Sequence, residues 1–291
     1  MLMDRDRVLL HMNNYIEKMP SLPTTVSKIL QLCNDPRTSP NDLNKLISLD
    51  PVLMGRVMKL INSAYYSLAQ KVTSLVRAII MLGINTVKNL ALSTAVLTQI
   101  GGKKNFNALN MEGFWRHSIC VGVTAKLIAQ KRQVNPKDLE EYFIAGLLHD
   151  IGKLPMNNKL SMEYIEALGE TERSRIPLFL AEHKYFSLDH TDVGELIIRN
   201  WKLSNDIRDV VCFHHKISEY AGPHKDILYT VAVANYFASA NEIGFSGDRY
   251  PEQLKDDLFA YLGVGWEYLD SLEEQIKSAI AKAHIFLEVA Q

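Results

Sequence analysis

Hydrophobic side chains recur along this chain at intervals of three and four residues, which is the spacing of an amphipathic helix. The stretches 26–33 and 87–94 both follow it. Leu139–Leu148 is apolar almost throughout and predicts a buried helix. The alternation of apolar and polar residues that predicts strands is nearly absent. We therefore expect an all-α protein built from many short helices.

Three helix starts are predicted by a capping side chain placed just before a proline. They are Ser39-Pro40-Asn41-Asp42, Asp50-Pro51 and Asn135-Pro136-Lys137-Asp138. Such a side chain accepts hydrogen bonds from the free N–H groups of the first turn, and the constrained φ of proline suits the first helical position. Near the end of the chain, a loose stretch from Asn241 to Tyr250 precedes an amphipathic helix predicted around Leu269 to Leu287.

The best candidate boundary is Gly101-Gly102-Lys103-Lys104-Asn105, where glycines and lysines interrupt apolar helices. It divides the chain into an N-terminal helical bundle, residues 1–104, and a C-terminal helical unit, residues 105–291. The second unit contains every potentially catalytic or metal-binding residue except His11.

Composition narrows the functional classes. The chain has 291 residues, of which 47% are hydrophobic, and its 32 basic and 33 acidic residues leave a net charge of −1. It has no lysine- or arginine-rich block typical of nucleic-acid binding, no apolar run near the ~18 residues that span a membrane, and no signal-peptide pattern at its start. Three scattered cysteines favour reduced thiols. We expect a cytoplasmic protein that binds phosphate groups only at a local site.

The strongest chemical feature is the pair His149-Asp150, followed by Gly152 and Lys153 at the end of the apolar helix. Successive helical residues are offset by about 100°, so both side chains can address one divalent cation. Taken alone, the pair is weak, because a buried histidine bonded to a neighbour is common.

Four more histidines lie near helix ends on both sides of this pair: His117, His190, His214 and His215. For any one of them, a hydrogen-bonded core histidine is favoured at roughly three to one. Neutral imidazoles are ligands for zinc, iron, manganese and nickel, and a carboxylate such as Asp150 can bridge two ions. The combination therefore predicts a metal site able to activate water for phosphoester hydrolysis.

The order of these residues resembles the metal site of the HD phosphohydrolase superfamily. The resemblance implies metal ligands at His117, His149, Asp150, His190, His214 and His215. The superfamily's last ligand is normally an aspartate in an Ala-Asp pair, and here Ala234 is followed by Asn235. Since an amide oxygen is a weaker ligand than a carboxylate, Asn235 is expected to bind metal weakly.

The N-terminal half resembles one branch of that superfamily, the HDOD domain, or HD-related output domain. Glu182, Gly194 and Trp201 continue the pattern, so the resemblance covers roughly residues 15–240. The N-terminal motifs that carry it are Leu22-Pro23, Asn34-Asp35-Pro36, Ile47-Ser48-Leu49-Asp50-Pro51-Val52-Leu53, Leu60-Ile61-Asn62-Ser63-Ala64-Tyr65-Tyr66, Ser74-Leu75-Val76-Arg77-Ala78-Ile79 and Leu82-Gly83.

Membership implies a helical regulatory module of bacterial signalling, whose partner is a signalling protein or a small phosphorylated ligand. With no sensory domain recognised in this sequence, the input is expected from a separate protein. Many HDOD members have lost the metal ligands, whereas this chain keeps most of them. It lacks the Gly-Tyr-Pro signature of cyclic-di-GMP phosphodiesterases after His214-His215, which disfavours that activity.

Two hypotheses remain open, together with a hybrid of them in which metal binding is structural or sensory. The first is a signalling module, non-catalytic or weakly active, that retains part of the HD metal pocket, and Asn235 favours it. The second is a metal-dependent phosphohydrolase acting on a nucleotide or another phosphoester, which the retained ligands favour. In the second, Asp150 and Lys153 are catalytic and Lys153 stabilises phosphate charge, although a lysine there could equally complement a helix dipole.

Other candidates are expected to be structural. Cys120 and Cys212 are interpreted as small buried residues and Trp115 and Trp201 as core packing. Histidines without a motif are expected on the surface or in packing positions; they are His11, His183, His224 and His284.

Overall fold

The computed structural model describes residues 4–100 and 108–290, and within these residues all regular structure is helical. The helices range from six residues to 21. The prediction of an all-α protein is confirmed.

Six helices lie before the predicted boundary. They are α1 (Arg5–Glu17), α2 (Thr24–Cys33), α3 (Pro40–Ile47), α4 (Pro51–Ile61), α5 (Leu75–Leu82) and α6 (Ile84–Ile100). In the described part of the chain, no single helix is long and apolar enough to cross a membrane; α5 and α6 pass that test only as a pair, with a 115° bend between them.

The remaining helices follow residue 108, with one turn of 3-10 helix at Ile217–Glu219. The first six are α7 (Met111–Lys131), α8 (Leu139–Leu148), α9 (Lys153–Lys159), α10 (Ser161–Ser174), α11 (Leu178–Phe186) and α12 (His190–Trp201). The last six are α13 (Asn205–Phe213), α14 (Lys225–Ala240), α15 (Asp256–Leu262), α16 (Trp266–Ser271), α17 (Glu273–Ala283) and α18 (Ile285–Ala290).

Two of the three predicted helix starts form as expected. The Ser39 hydroxyl accepts a hydrogen bond from the Asp42 amide, and the Asp50 carboxylate accepts one from the Leu53 amide at 2.9 Å. The third was wrong. The Asn135 side chain accepts from the Lys137 amide two residues on, which closes a turn around the proline, so α8 begins only at Leu139.

The predicted terminal helix is divided into α16, α17 and α18. The breaks let successive segments pack on different partners, because α17 lies against α7 while α18 lies against α4 and α6. Phe286 of α18 is thereby buried, with its ring against those of Tyr65 and Phe143.

Both halves of the chain contribute to one hydrophobic core. Its members include Met12 and Val57 from the N-terminal helices and Phe143 and Val193 from the C-terminal ones. A second, smaller core lies among α7, α14 and α17. The predicted boundary at residues 101–105 falls outside the described residues, so the division into two units stays a prediction.

The close crossing of α7 and α8 sets the geometry of the region that contains the candidate histidines. Gly122 of α7 meets Gly146 of α8, where a Cβ atom built on Gly146 would lie 2.7 Å from the Gly122 Cα. The two backbones therefore touch without intervening side chains. Because α7 contains His117 and α8 leads into His149, this contact brings the two imidazoles together.

A partly buried polar cluster joins the N-terminal half to the same pair of helices. The Lys126 ammonium on α7 contacts the Glu140 carboxylate on α8 and lies 3.1 Å from the Tyr65 hydroxyl, which follows α4. The ammonium also lies over the Tyr65 ring at 4.6 Å. We refer to these three residues as the Lys126 cluster.

Gly146→Ala is expected to lower the free energy of unfolding by about 1–3 kcal/mol, because the new methyl group must push α7 and α8 apart. Gly55→Ala is the matched control. A Cβ on Gly55, inside α4, would meet nothing within 4 Å, so this change should raise the same free energy by about 0.5–1 kcal/mol. Urea denaturation measures both, and equal effects of the two substitutions would contradict the proposed contact.

Candidate metal centre

The predicted ligands come from five parts of the fold and meet in one buried cluster. His117 lies in the second turn of α7, not at its start as the sequence suggested. The others lie at the end of α8 and the following turn, at the start of α12, just after α13, and within α14: His149 and Asp150, His190, His214 and His215, and Asn235. We call this set the metal-ligand cluster.

The cap of α12 and the glycine at position 152 explain how His190 comes close to Asp150. The Asp189 carboxylate accepts from the Thr191 amide at 2.7 Å and the Asp192 carboxylate accepts from the Asp189 amide at 3.0 Å, a reciprocal cap that starts α12 at His190. Gly152 then allows the start of α12 to approach the turn after Asp150. A Cβ atom on Gly152 would lie 1.9 Å from the His190 carbonyl oxygen.

Asp150 lies at the centre of the cluster. Its Oδ2 is 3.3 Å from the Nε2 of His149 and 3.9 Å from that of His117. Its Oδ1 is 3.3 Å from the Nε2 of His190 and 3.6 Å from that of His214. Each carboxylate oxygen therefore faces its own pair of imidazoles, the arrangement expected of a carboxylate shared by two ions.

The far side of three imidazoles is held by hydrogen bonds. His149 Nδ1 donates to the Gly146 carbonyl at 2.7 Å, and His214 Nδ1 donates to the carbonyl of Val210 at 3.1 Å. His190 Nδ1 donates to the Glu182 carboxylate at 2.6 Å. A neutral imidazole that donates through Nδ1 presents a lone pair at Nε2. The three Nε2 atoms therefore face the cluster in an orientation suited to binding a metal.

Several buried nitrogen and oxygen atoms in the cluster are of the kind that a bound cation satisfies. His149 Nε2, His215 Nε2 and Asp150 Oδ1 are buried and have no hydrogen-bond partner. The Nε2 atoms of His190 and His214 lie 3.3 Å apart, and both are close to Asp150 Oδ1. A divalent ion satisfies such atoms, so the donor set fits a metal.

The residues group as two candidate positions around Asp150. Asp150 with His190, His214 and His215 forms one, and Asp150 with His117 and His149 forms the other. Asn235 adds to the second, since its Oδ1 lies 2.9 Å from His117 Nε2. Asn235, the predicted weak ligand, therefore lies beside His117, with a neutral amide where a carboxylate would add charge.

Burial keeps most of the imidazoles neutral. It lowers the pKa of His117 to about 3 and that of His214 to about 4, and it lowers the pKa of His215 well below the usual value. Burial acts the same way on His190, but the Glu182 carboxylate and other nearby charges outweigh it and raise the pKa. Neutral imidazole is the form that binds metal.

Burial alone would raise the pKa of Asp150, but His149 and Lys153 lower it well below its usual range. The Lys153 ammonium is 2.7 Å from Asp150 Oδ2, 3.3 Å from the Ser246 hydroxyl and 1% exposed. It lies at the first residue of α9, so it does not complement a helix C-terminus as one reading of the sequence suggested. Its contacts make it a partner of Asp150.

The stretch 241–250 was predicted to be loose, and it is non-helical, but its middle is buried against the cluster. Gly244, with φ +73°, lies so close to α7 that a Cβ atom would be 2.3 Å from the His117 nitrogen. Ser246 contacts Lys153, and Asp248 accepts from the Leu178 amide at 3.3 Å. The glycines at 244 and 247 were the only sequence signal for this close packing.

The residues that the sequence predicts to be packing or surface residues lie outside the cluster. Trp115 and Trp201 are buried in the core, and burial raises the pKa of the Cys120 and Cys212 thiols to about 12, which disfavours the thiolate that a metal requires. His183 is more than a surface residue, because its Nε2 lies 2.8 Å from the buried Asp189 carboxylate.

Comparison with known sequences gives two results. A sequence model of the HDOD domain matches residues 19–217. A curated relative, described as an uncharacterized protein from Treponema pallidum (strain Nichols), is 24% identical over 223 residues, which are 76% of this chain and 42% of the relative. The chain thus spans about two fifths of the length of that relative.

Three solved structures share the fold. An HDOD domain protein with unknown function from Geobacter sulfurreducens has a TM-score of 0.76 at 24% identity, covering 97% of this chain and 99% of that one. A candidate phosphohydrolase from Shewanella amazonensis SB2B has a TM-score of 0.70 at 20% identity, covering 96% and 98%. A candidate signal transduction protein from Marinobacter aquaeolei VT8 has a TM-score of 0.71 at 20% identity, covering 96% and 60%.

Glu182→Gln is expected to weaken metal binding by about 10- to 100-fold. The glutamine amide can still orient His190, but it lacks the negative charge that makes the His190 Nε2 a stronger metal ligand. Titration of Mn²⁺ or Zn²⁺ against a competing chelator measures the affinity. Glu170→Gln is the control, since it removes a carboxylate from a cluster with Lys184 outside the metal ligands. Wild-type affinity in Glu182→Gln would show that this carboxylate does not act through His190.

Proposed function

The chain belongs to the HDOD family, and we propose that it acts as a regulatory module of bacterial signal transduction that binds divalent metal in its HD-like half. One observation carries the proposal: five imidazoles and one carboxylate converge in the interior, and His149, His190 and His214 are oriented by outer hydrogen bonds so that Nε2 faces Asp150. The resident metal would be iron, manganese, zinc or nickel, held by Asp150 and the surrounding imidazoles.

Two features favour regulation over efficient hydrolysis. The Lys153 ammonium is inside the protein and engaged with Asp150, so it stabilises the carboxylate and is not presented to an incoming phosphate. Asn235 contributes no charge to the position formed by His117 and His149, which weakens that position relative to its neighbour. A module with one strong and one weak metal position suits a sensory or structural metal.

The partner in this proposal is a signalling protein or a small phosphorylated ligand. The family and the fold shared with a candidate signal transduction protein support it. An incoming signal would act by favouring one arrangement of the helices over another.

A specific observation favours a second candidate, a metal-dependent phosphohydrolase. A cavity of about 480 Å³ has His214 and His215 in its wall together with Lys225 and Lys255. Ammonium groups can hold phosphate oxygens there. A bound divalent ion would supply the Lewis acidity that activates water for phosphoester hydrolysis. His214 and His215 would hold the ion at the edge nearest the cavity.

Protein purified without an affinity tag or chelator is expected to contain about one or two equivalents of metal, and Asp150→Asn to lose most of it, because both candidate positions share this carboxylate. Elemental analysis of the full chain measures this. His284→Ala, which changes an exposed histidine of an ion pair with Glu288, should keep the wild-type content. Metal-free protein that also takes up no added ion would refute both candidate functions.

Asn235→Asp separates the two candidates. The added carboxylate should raise Mn²⁺ affinity roughly tenfold, because a charged oxygen replaces a neutral one beside His117. For the regulatory module we expect no hydrolysis of bis(p-nitrophenyl) phosphate above the background of Asp150→Asn. Turnover that rises with Mn²⁺ occupancy in Asn235→Asp would instead establish the phosphohydrolase.

A further inference from the structure

A second cavity, of about 650 Å³, lies where the two halves of the chain meet. The N-terminal half contributes α2 and α6 to its wall, including Lys88 and Asn89. The C-terminal half contributes Lys202 and the first turns of α8, α13 and α14. The opposite ends or later turns of these three helices lead to the metal ligands, so this cavity is separate from the cluster. We call it the junction cavity.

Two helix N-termini open into the junction cavity without side-chain caps. Neither Ser204 before α13 nor His224 before α14 makes a side-chain capping hydrogen bond. The helices have nine and 16 residues, so their first-turn N–H groups carry appreciable partial positive charge. Such N-termini bind phosphate groups.

A buried amide in the cavity wall independently indicates a ligand. Asn89 is 3% exposed, and its Nδ2 has no hydrogen-bond partner. Buried amides are nearly always satisfied, by protein or by a bound molecule. The Asn89 side chain can pair with the edge of a ligand that offers both an acceptor and a donor.

The remaining wall is mixed in charge. Lys202 follows α12 and is exposed, whereas Lys88 is engaged by Glu141 at 3.5 Å. Asp206 also lines the cavity, and Asp226 is paired with Arg132 at 2.9 Å. Carboxylates in this position repel a bare anion but accept hydrogen bonds from hydroxyl or amino groups. Leu92 and Ile207 supply apolar wall.

We propose that the junction cavity is an effector site for a nucleoside monophosphate. The phosphate pairs with Lys202 and the start of α13, the sugar hydroxyls donate to the carboxylates, and the base lies between apolar walls with its edge at Asn89. A free phosphate ion matches only the first of these features. Binding at this site stands apart from the metal proposal, whereas the effector role rests on it.

The three helices that line the cavity explain why a ligand there would act as an effector. α8 leads from the cavity to His149, α13 leads to His214, and α14 contains Asn235. Ligand contacts at the first turns therefore bear on helices that position metal ligands. If the ligand changes metal affinity, metal must change ligand affinity by the same factor.

Isothermal titration calorimetry of the full chain with AMP, GMP, CMP and UMP tests the proposal, with inorganic phosphate and adenosine as partial ligands. Lys202→Gly removes the ammonium at a backbone φ of +52°, which glycine adopts freely. Arg175→Gly is the matched control, because Arg175 ends α10 at φ +53° and is not among the residues lining the cavity. Asn89→Leu removes the unpaired amide.

We expect at least one nucleotide to bind in a 1:1 ratio with a Kd of about 1 mM or lower, and Lys202→Gly to weaken it roughly tenfold. Asn89→Leu should weaken it as well, Arg175→Gly should not, and neither inorganic phosphate nor adenosine should match the nucleotide. His149→Ala should still bind, and bound nucleotide should shift Mn²⁺ affinity in the wild type.

Several results would overturn the proposal. They are no binding by any of the four nucleotides, equal binding by Lys202→Gly and Arg175→Gly, or phosphate alone binding as tightly. Binding that disappears in His149→Ala would place the ligand at the metal-ligand cluster and leave the metal proposal intact. Binding with unchanged Mn²⁺ affinity in a protein shown to hold metal would remove the effector role.

Discussion

The Asp150 carboxylate has no exposed surface, and burying a charged group in this way is costly. The arrangement of the protein's interior follows from compensating that cost. One lysine and four imidazoles surround the carboxylate, and each must be positioned by a different helix. The caps, the close glycine contacts and the outer hydrogen bonds all serve this placement. Lys153 supplies one positive charge, and the lone pairs of the neighbouring imidazoles leave a place suited to a second, in the form of a metal ion.

Much of the fold and the membership of the cluster could be predicted because the signals are local. The apolar run Leu139–Leu148 forms the helix expected of it, and the histidine order brings together the residues that it predicted. The Ala234-Asn235 pair likewise marked the place where the structure puts an amide beside His117. These inferences needed only helical periodicity and the spacing of residues along the chain.

The errors arose where a competing local hydrogen bond or a distant contact overrides the preference inferred from the sequence. The proline at 136 has a preceding capping side chain, yet Asn135 closes a turn instead of a helix. The terminal segment divides because its apolar faces have two different partners. Lys153 pairs with Asp150 three residues earlier, but its second contact, Ser246, lies more than ninety residues away, and no pattern near position 153 encodes that contact.

The glycine contact between α7 and α8 has a mechanical consequence. Two backbones in direct contact leave no side-chain layer that could slide, and the Lys126 cluster links the same helices about one to two turns away. The pair therefore behaves as a single stiff body that contains His117 and leads into His149 and Asp150. The start of α12 also meets the turn after Asp150 backbone to backbone, at Gly152, so a rearrangement would move α13 and separate His214 from the shared carboxylate. Asp150 would then be the point at which the two moving parts meet, and a metal bound to both parts there would oppose the movement.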